Sequence, residues 1–398
     1  MWNSLHVLIL PAILLQFVPD ERKNTILGLM TFIGLIVAMI VQPISGALSD
    51  RLETRFGRRR PWIAFGTLFD LLFLGLMAAA GGLPLLALGY IGLQFTSNLA
   101  HGPAQGLMHD RVPSEQMGVA SGVKNLFDMT GLVISSLLVG RLLTEADFTL
   151  IALIIAGFLI LGATLTLFGV RETTSQPTRG DKERYKIPFE LPRLDFRAHR
   201  DFWRLILSRL LFLGGVYGIQ TFAQYFIRDT IPVEDPVKLT GDLFATIVLA
   251  LMGFSIVAGH LSDRYGRKPL HVIAALLVFV GSLLMTTAQS PTAILVFGSV
   301  IGAGIGLFIS SNWALANDLA PEGEGGKYLG LTNLATAGAA ALSRLAGPVI
   351  DALNAARPGA YLGYDGLMIG AAILAIASLV ILTKVTEVRP QPGTEKLL

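Results

Sequence analysis

The amino-acid sequence predicts an all-α membrane protein with twelve transmembrane helices in two six-helix bundles. Of its 398 residues, 53% are hydrophobic and only 15% are charged, and the mean hydropathy is +0.62. This apolar surface exceeds what a soluble core can bury, so the lipid bilayer must be the solvent. In addition, the string Gly-Ala-Leu-Ser-Asp-Arg at residues 46–51 recurs at residues 259–264 as Gly-His-Leu-Ser-Asp-Arg. A charged string repeated between hydrophobic segments indicates two copies of one membrane module.

Twelve apolar runs are long enough to cross about 30 Å of hydrocarbon. They fall at about residues 2–18, 25–48, 62–80, 83–107, 118–142, 148–170, 202–227, 243–261, 269–288, 292–316, 327–350 and 363–384. The polar stretch between the sixth and seventh runs predicts an N-terminal bundle (1–170), a cytoplasmic linker (171–200), and a C-terminal bundle with a short cytoplasmic tail (201–398). The first run begins almost at Met1, so we expect the functional N-terminus to lie a few residues upstream.

The loop charges predict the orientation of the chain. Most of the 31 Lys and Arg residues lie in the loops after the even-numbered runs and in the tail, and the positive-inside rule places those segments in the cytoplasm. Both termini of this multi-pass protein of the cell (inner) membrane are therefore predicted to be cytoplasmic. The pI of about 9.1 does not indicate nucleic-acid binding, because the basic residues are spread over short loops instead of forming one basic face.

Several classes of chemistry are excluded by what the sequence lacks. It contains no cysteine, which rules out disulfides, thiolate nucleophiles and cysteine-containing zinc or iron–sulfur sites. Its six histidines are scattered, and neither His-Glu-x-x-His nor Gly-x-Ser-x-Gly occurs. We therefore expect no catalytic residues, no metal ligands and no cofactor, which disfavours a polytopic membrane enzyme.

The repeated string has a physical meaning at the end of the second span. Asp50 lies where the helix dipole disfavours a carboxylate, so it needs a cation, and Arg51 and Arg58 are close enough in sequence to serve. Gly46, one turn earlier, lets a neighbouring helix pack closely. We expect a latch that forms in one conformation and breaks in another, in both copies. The alternative is that these are ordinary charges flanking a membrane span.

A second set of matches supports the duplication. Asp110, Pro113, Gly122, Asn125 and Leu126 recur with the same spacing as Asp318, Pro321, Gly330, Asn333 and Leu334. Two separate matches make duplication of a six-helix unit the simplest interpretation.

These motifs resemble those of a known family. Gly-x-Leu-Ser-Asp-Arg followed by Gly-Arg-Arg (57–59) or Gly-Arg-Lys (266–268) resembles the loop 2-3 signature of the major facilitator superfamily and its weaker copy in loop 8-9. The resemblance implies two bundles around a central cavity that rock between inward-open and outward-open states. The gate residues that it implies are Gly46, Asp50, Arg51, Gly57, Arg58, Gly259, Asp263, Arg264 and Arg267.

A finer resemblance concerns sugar carriers. The extended loop at residues 50–62 is similar to that of the plant sucrose-transporter type and of the glycoside-pentoside-hexuronide symporters, and the string at residues 98–107 also resembles the sucrose type. That family carries a carboxylate and an arginine on this helix, whereas Gln94 and Gln105 occupy the aligned positions here. The resemblance therefore implies the fold more directly than the cargo.

Polar residues on the spans that line the cavity in this family are candidates for substrate contact. The candidate set is Gln94, Asn98, His101, Gln105, Arg209, Tyr217, Gln220, Gln224, Trp313 and Asn317, which lie at helical spacing on spans 4, 7 and 10. Amide, hydroxyl and aromatic groups suit a neutral sugar or polyol. The alternative is that they only hydrogen bond between helices. Arg209 either recognises a carboxylate or snorkels towards the membrane surface.

Ionisable residues within the spans are candidates for ion coupling. His101 titrates near neutrality and lies on the polar face of span 4, although a structural role is the alternative. Asp128 follows Lys124 by four residues, a spacing that permits an ion pair within one helix. Asp70, near the middle of span 3, is either a silent buried acid or a proton carrier.

The sequence thus predicts a secondary active transporter that works by rocker-switch alternating access. We expect a monomer that takes up a sugar-like or other small polar organic solute with a coupling proton or sodium ion. The alternatives are an exporter of amphipathic compounds and a non-transporting sensor with the same fold.

Overall fold

The computed structural model describes residues 4–51, 54, 56–143, 148–170, 199–321 and 325–386. In the N-terminal part, a π-helical turn (Leu5–Ile9) continues into α1, and the helices are α1 (Leu10–Leu14), α2 (Lys23–Ser49), α3 (Arg60–Ala78), α4 (Leu83–Arg111), α5 (Met117–Leu142) and α6 (Phe148–Gly169). In the C-terminal part they are α7 (Arg200–Thr230), α8 (Pro236–Tyr265), α9 (Arg267–Met285), α10 (Pro291–Leu319), α11 (Gly325–Arg344), α12 (Gly347–Ala356) and α13 (Leu362–Thr383). Short 3-10 turns occur at Asp20–Arg22 and Ser114–Gln116.

The predicted fold class is confirmed, because every described element is helical and each predicted span contains a helix. Among the described residues, nine helical segments are long and apolar enough to cross a membrane. The other three predicted spans are span 1, whose apolar helix Leu5–Leu14 is short, and the more polar spans 4 and 11. Span 4 is more polar because α4 carries the row of amide side chains that begins at Gln94.

Span 11 differs from the prediction of one continuous segment at residues 327–350. Helix α11 ends at Arg344, and α12 begins at Gly347 with Pro348 in its first turn. Between them, Leu345 and Ala346 donate to carbonyls three residues earlier, Leu342 and Ser343. A proline lacks the N–H that would continue the α-helical ladder, so the helix tightens and restarts at that point.

The chain divides into two compact units, Met1–Leu194 and Asp195–Leu398, called here the N-unit and the C-unit. The predicted linker at residues 171–200 falls almost entirely outside the described residues. Within the N-unit, α4 packs against α2 and α3; within the C-unit, α10 packs against α8 and α9, and α7 packs against α11 and α13. The chemically informative side chains lie at these helix contacts.

Candidate functional site

Four charged side chains, Asp50, Arg58, Arg59 and Asp110, form the N-unit ion cluster where α2, α3 and α4 meet. Arg59 Nη2 lies 2.8 Å from Asp50 Oδ1, and its Nε lies 2.5 Å from Asp110 Oδ2. Arg58 Nη2 lies 2.7 Å from the other oxygen of Asp110. One guanidinium therefore joins the end of α2 to the end of α4, and its side chain is only 8% exposed.

The cation that meets Asp50 differs from the sequence-based expectation. We expected Arg51 or Arg58, but Arg58 binds Asp110 and Arg51 is exposed. Arg59 reaches Asp50 because it sits at the N-cap of α3, directly facing α4. A planar guanidinium presents several donors in fixed directions, so separate nitrogens of one Arg59 side chain can bind two carboxylates at once.

The Arg59 side chain needs a glycine beneath it. Its Nη1 donates to the backbone oxygen of Pro103 at 3.4 Å, and a Cβ at Gly106 would overlap the guanidinium. One turn earlier, a Cβ at Gly102 would lie 2.5 Å from Ser45 Oγ. Opposite Gly102, a Cβ at Gly46 would have an ordinary contact at 3.8 Å. The close approach that we expected at Gly46 is therefore imposed by the glycines of α4.

We expect Gly106→Ala to displace Arg59 and to lower the melting temperature of the purified protein. Loss of such an ion cluster costs on the order of 1–3 kcal/mol, which corresponds to roughly 2–12 °C for a unit of this size. The control is Gly122→Ala on α5, where no atom lies within 4 Å of an added Cβ. Equal melting temperatures for the two variants would contradict this account of Gly106.

The C-unit repeats the central ion pair. Arg267, the first residue of α9, pairs with Asp318 of α10 and donates to the backbone oxygen of Ala314. The same number of residues separates Arg59 from Arg267 as separates Asp110 from Asp318, so the two ion pairs are equivalent by duplication.

The other expected gate residues of the C-unit are less engaged. Arg264 lies over the ring of Tyr265, 5.4 Å from its centroid. An added Cβ at Gly259 would meet no atom within 4 Å among the described residues, so the expected close packing there is wrong. The side chain of Asp263 lies outside the described part of the structure.

The backbone conformation explains why glycine occupies positions 57 and 266 in the two copies. Their φ angles are 101° and 88°, which is the left-handed region where a Cβ is disfavoured. Gly57 closes a turn in which Thr54 Oγ1 donates to its backbone oxygen at 2.6 Å, and Gly266 separates α8 from α9. Each turn delivers the following arginines to the start of a helix.

The polar residues of α4 form two hydrogen-bonded chains. In the first, Gln94 donates to Tyr90 Oη at 3.0 Å, and Tyr90 in turn meets His6 Nδ1 at 3.1 Å. Asn98 extends this chain by donating to the backbone oxygen of Gln94 at 2.8 Å. Tyr90 and Gln94 are buried, so these groups tie α4 to the first helix.

The second chain is more exposed and joins α4 to α2. His101 Nε2 and Gln105 Nε2 are 2.9 Å apart, so the imidazole nitrogen accepts from the amide. Gln105 Oε1 accepts from Gln42 at 3.2 Å. The structure thus brings His101 and Gln105 together and adds Gln42, which sequence reasoning missed because it lies on a span not expected to line a cavity.

The coupling candidates differ in their surroundings. Lys124 and Asp128 form the ion pair that their spacing permits, at 2.6 Å, with both side chains about half exposed. His101 interacts electrostatically with both Lys124 and Asp128. Asp70 is 3% exposed and receives a hydrogen bond of 2.5 Å from Thr96 Oγ1. Asp70 therefore lies in the α3–α4 contact, apart from the other three.

In the C-unit, Arg209 is the centre of a buried polar network that also contains Asn312, Thr336 and His271. Arg209 Nη1 donates to Asn312 Oδ1 at 2.5 Å and Nε donates to Thr336 Oγ1 at 2.9 Å. Its guanidinium carbon lies 5.0 Å from the centroid of the Trp313 ring, a cation–π contact. Because Arg209 is only 4% exposed, the snorkelling alternative is wrong.

The other C-unit candidates differ in burial, and Tyr217 interacts electrostatically with Arg209. Tyr217 and Gln220 are half-buried on α7, and Gln224 is buried. Asn317 is exposed and donates to the Trp313 backbone oxygen at 3.1 Å. The network members Asn312, Thr336 and His271 were missed; the available signal was His271 at helical spacing from Arg267.

Comparison with known protein families shows which family this chain belongs to. The model described as "Major Facilitator Superfamily" matches residues 4–344 and, in a second match, residues 236–397. The chain belongs to the Major Facilitator Superfamily. It is accordingly a multi-pass membrane transporter, in a superfamily whose members bind small-molecule substrates in the membrane and are not in general enzymes.

Relatives within the superfamily differ in what they transport. The chain is 23% identical over 295 residues to the multi-drug resistance efflux pump PmrA of Streptococcus pneumoniae serotype 4, covering 74% of this chain and 71% of that protein. It is 27% identical over 320 residues to the uncharacterized symporter YnaJ of Bacillus subtilis strain 168, covering 75% and 66%. The crystal structure of a D-xylose-proton symporter superposes with a TM-score of 0.72 at 17% identity, covering 97% of this chain and 94% of that chain.

Proposed function

We propose that this superfamily transporter is a monomeric, proton-coupled uptake system for a sugar-like solute. It lies in the cell (inner) membrane with both termini in the cytoplasm, and it alternates between inward-open and outward-open states by rocking of its two bundles. The N-unit ion cluster and the Arg267–Asp318 pair act as cytoplasmic latches, because ion pairs at helix ends form in one state and break in another.

The observation that carries the proposed cargo is the row of amides on α4. Gln94, Asn98 and Gln105, with His101 among them, present neutral donors and acceptors at steps of three and four residues. A polyhydroxylated solute offers matching hydroxyl groups and carries no charge that would need a counter-ion. The accessible chain from His101 through Gln105 to Gln42 gives three such groups in one place.

The proposed subtype is that of the sucrose and glycoside-pentoside-hexuronide symporters. It is supported by the extended loop at residues 50–62. The match to YnaJ, an uncharacterized symporter, over 75% of the chain supports symport in general. After Gly57 the loop contains one more basic residue than its counterpart in the C-unit does after Gly266, and Arg58 and Arg59 both bind Asp110.

Proton coupling is proposed at His101. Its imidazole accepts from Gln105 and feels the charges of Lys124 and Asp128, so a proton on Nε2 would require Gln105 to turn its oxygen towards the ring. Such a turn changes the hydrogen bond to Gln42 and hence the amide row. In this proposal, the charges of Lys124 and Asp128 influence how readily His101 binds a proton.

A second candidate function is export of amphipathic compounds. It is favoured by the similarity to PmrA, a multi-drug efflux pump, over 74% of the chain. The exposed part of the Trp313 ring in the cation–π pair with Arg209 would suit an aromatic solute as well as a sugar ring.

The test is uptake into proteoliposomes with an imposed pH gradient, acidic outside. We expect accumulation of at least one sugar from a panel of labelled D-xylose, D-glucose and sucrose, and a loss of about tenfold or more in gradient-driven accumulation in His101→Ala. The control is His199→Ala. His199 packs against the ring of Tyr328 and is not one of the proposed coupling residues. Transport of ethidium with no sugar accumulation would overturn the proposal in favour of the exporter.

A further inference from the structure

His271 is a buried histidine that the proposed transport mechanism does not yet use. It lies one turn into α9 and is only 2% exposed. Its Nδ1 lies 3.0 Å from the backbone oxygen of Arg267, and its Nε2 lies 3.4 Å from Asn312 Nδ2. The ring of Phe308 packs against it edge-on at 5.3 Å between centroids. His271 therefore sits between the Arg267–Asp318 pair and the Arg209 network.

The directions of these hydrogen bonds fix the protonation state of His271. A guanidinium can only donate, so the Asn312 atom facing Arg209 must be the oxygen, and the amide NH2 must face the imidazole. A backbone oxygen can only accept, so Nδ1 must carry a hydrogen that it donates to Arg267. Nε2 is then left as the acceptor for Asn312. These two hydrogen bonds fit a neutral imidazole.

We propose that His271 is a proton-binding site that controls Arg209 through Asn312. A proton on Nε2 would face the NH2 group of Asn312, and two donors cannot share a hydrogen bond. The amide must turn its oxygen to the imidazole, which presents its NH2 group to Arg209 and breaks that bond. Proton binding therefore releases Arg209 from Asn312.

Charged groups lie on several of the elements around His271. On its own helix Arg267 is neutralised by Asp318 of α10, and Lys268 lies near Thr383 of α13. From Gly366 to Thr383, α13 carries no ionisable residue. At the end of α8, Arg264 faces Tyr265, and the side chain of Asp263 is outside the described structure. Beyond Asn312, Arg209 carries a positive charge that a protonated His271 would repel.

The consequence for transport rests on the proposed function. A guanidinium released from Asn312 needs a new acceptor, and an oxygen-rich solute can supply one. Proton and solute then each favour binding of the other, which is the coupling that a symporter requires. His271 also bonds to the backbone oxygen of Arg267. The same proton therefore binds close to the Arg267–Asp318 ion pair.

The test uses tryptophan fluorescence and needs no substrate. The chain contains four tryptophans, so Trp2→Phe, Trp62→Phe and Trp203→Phe leave Trp313 as the only one. The guanidinium of Arg209 lies against this ring, so its release should change the emission of Trp313. We expect one emission transition on titration between about pH 5 and pH 9, and its loss when His271→Gln is added.

Two further variants make the result specific. His260→Gln removes an exposed imidazole whose Nδ1 also lies near a carbonyl four residues earlier, and it should leave the transition unchanged. Asn312→Asp provides a carboxylate that accepts from both Arg209 and a protonated His271, so the transition should move to higher pH and shrink in amplitude. This second variant tests the proposal even if His271→Gln does not fold.

A transition that persists in His271→Gln, or an emission independent of pH in the parent protein, would overturn the proposal. So would an Asn312→Asp transition at the same pH and amplitude as the parent. The fluorescence result is separate from transport. Failure of sugar uptake with a normal Trp313 titration would refute the proposed cargo only, whereas uptake without the titration would refute the role of His271.

Discussion

Replacing Arg59 with methionine is expected to reduce transport by at least about tenfold and to favour the state open to the cytoplasm. Arg59 bonds both Asp50 and Asp110, and methionine leaves two partly buried carboxylates without their shared cation. Removing one partner of a buried, hydrogen-bonded charge pair costs about 2–5 kcal/mol. Since 1.4 kcal/mol corresponds to a factor of ten, the closed latch should be depopulated by at least about 30-fold.

The natural absence of cysteine allows this state to be measured directly. Gln105→Cys, at an exposed position on α4, can be labelled with an impermeant maleimide from the side proposed to be cytoplasmic. Transport is measured without this substitution, because Gln105 is a proposed solute contact. We expect faster labelling when Arg59→Met is added.

Arg58→Met is the matched control. In the cluster Arg58 bonds one oxygen of Asp110, and its side chain is 37% exposed, so loss of this surface ion pair should cost about 1 kcal/mol or less. If Arg59→Met and Arg58→Met show equal labelling and transport rates, Arg59 does not hold the ion cluster together.

Helices were largely predictable because hydrocarbon imposes a simple requirement on sequence. Each span needs a long apolar run, and the loops between runs carry the charges that orient them. The break in span 11 was also readable, since Pro348 stands inside the predicted segment; it was missed because hydropathy does not register a missing N–H. Duplication was readable as well, from the repeated string and from Asp110 with Asp318.

The central cation was missed for a different reason. The first copy has three arginines after Gly57, and the second has Arg267 and Lys268 after Gly266. Matching the copies from their glycines pairs Arg58 with Arg267, whereas matching from Pro61 and Pro269 pairs Arg59 with Arg267. The structure supports the second match, because Arg59 and Arg267 each start a helix and bind the acidic residue near the end of the next helix.

Buried polar partners could not be predicted at all. Whether Arg209 meets Asn312, Thr336 or lipid depends on how α7, α10 and α11 rotate about their own axes, and one sequence does not set those angles. His271 was overlooked because its helix is not expected to line a cavity in this family. Its importance comes from the direction of two hydrogen bonds, which only the packed helices define.

Arg209→Met is expected to abolish most substrate accumulation while leaving thermal stability within about 1 kcal/mol of the unmodified protein. Among the described residues, only neutral side chains and the Trp313 ring meet its guanidinium. Methionine gives up those hydrogen bonds, worth about 1 kcal/mol each, but it also removes the cost of a charge buried without a carboxylate. The two changes roughly cancel in the folded protein.

Transport offers no such cancellation, because methionine cannot bond a solute oxygen. We expect the apparent affinity for the transported solute, proposed to be sugar-like, to fall by about tenfold or more, measured by uptake and by the ligand-induced shift in melting temperature. The control on the same helix is Arg204→Met, since Arg204 is 37% exposed and pairs with Asp201; it should retain uptake. A melting temperature of Arg209→Met far below that of Arg204→Met would show that Arg209 serves the fold. Near-equal stability with lost uptake would explain why an unneutralised arginine remains in the interior of a membrane bundle: its charge is used on the solute.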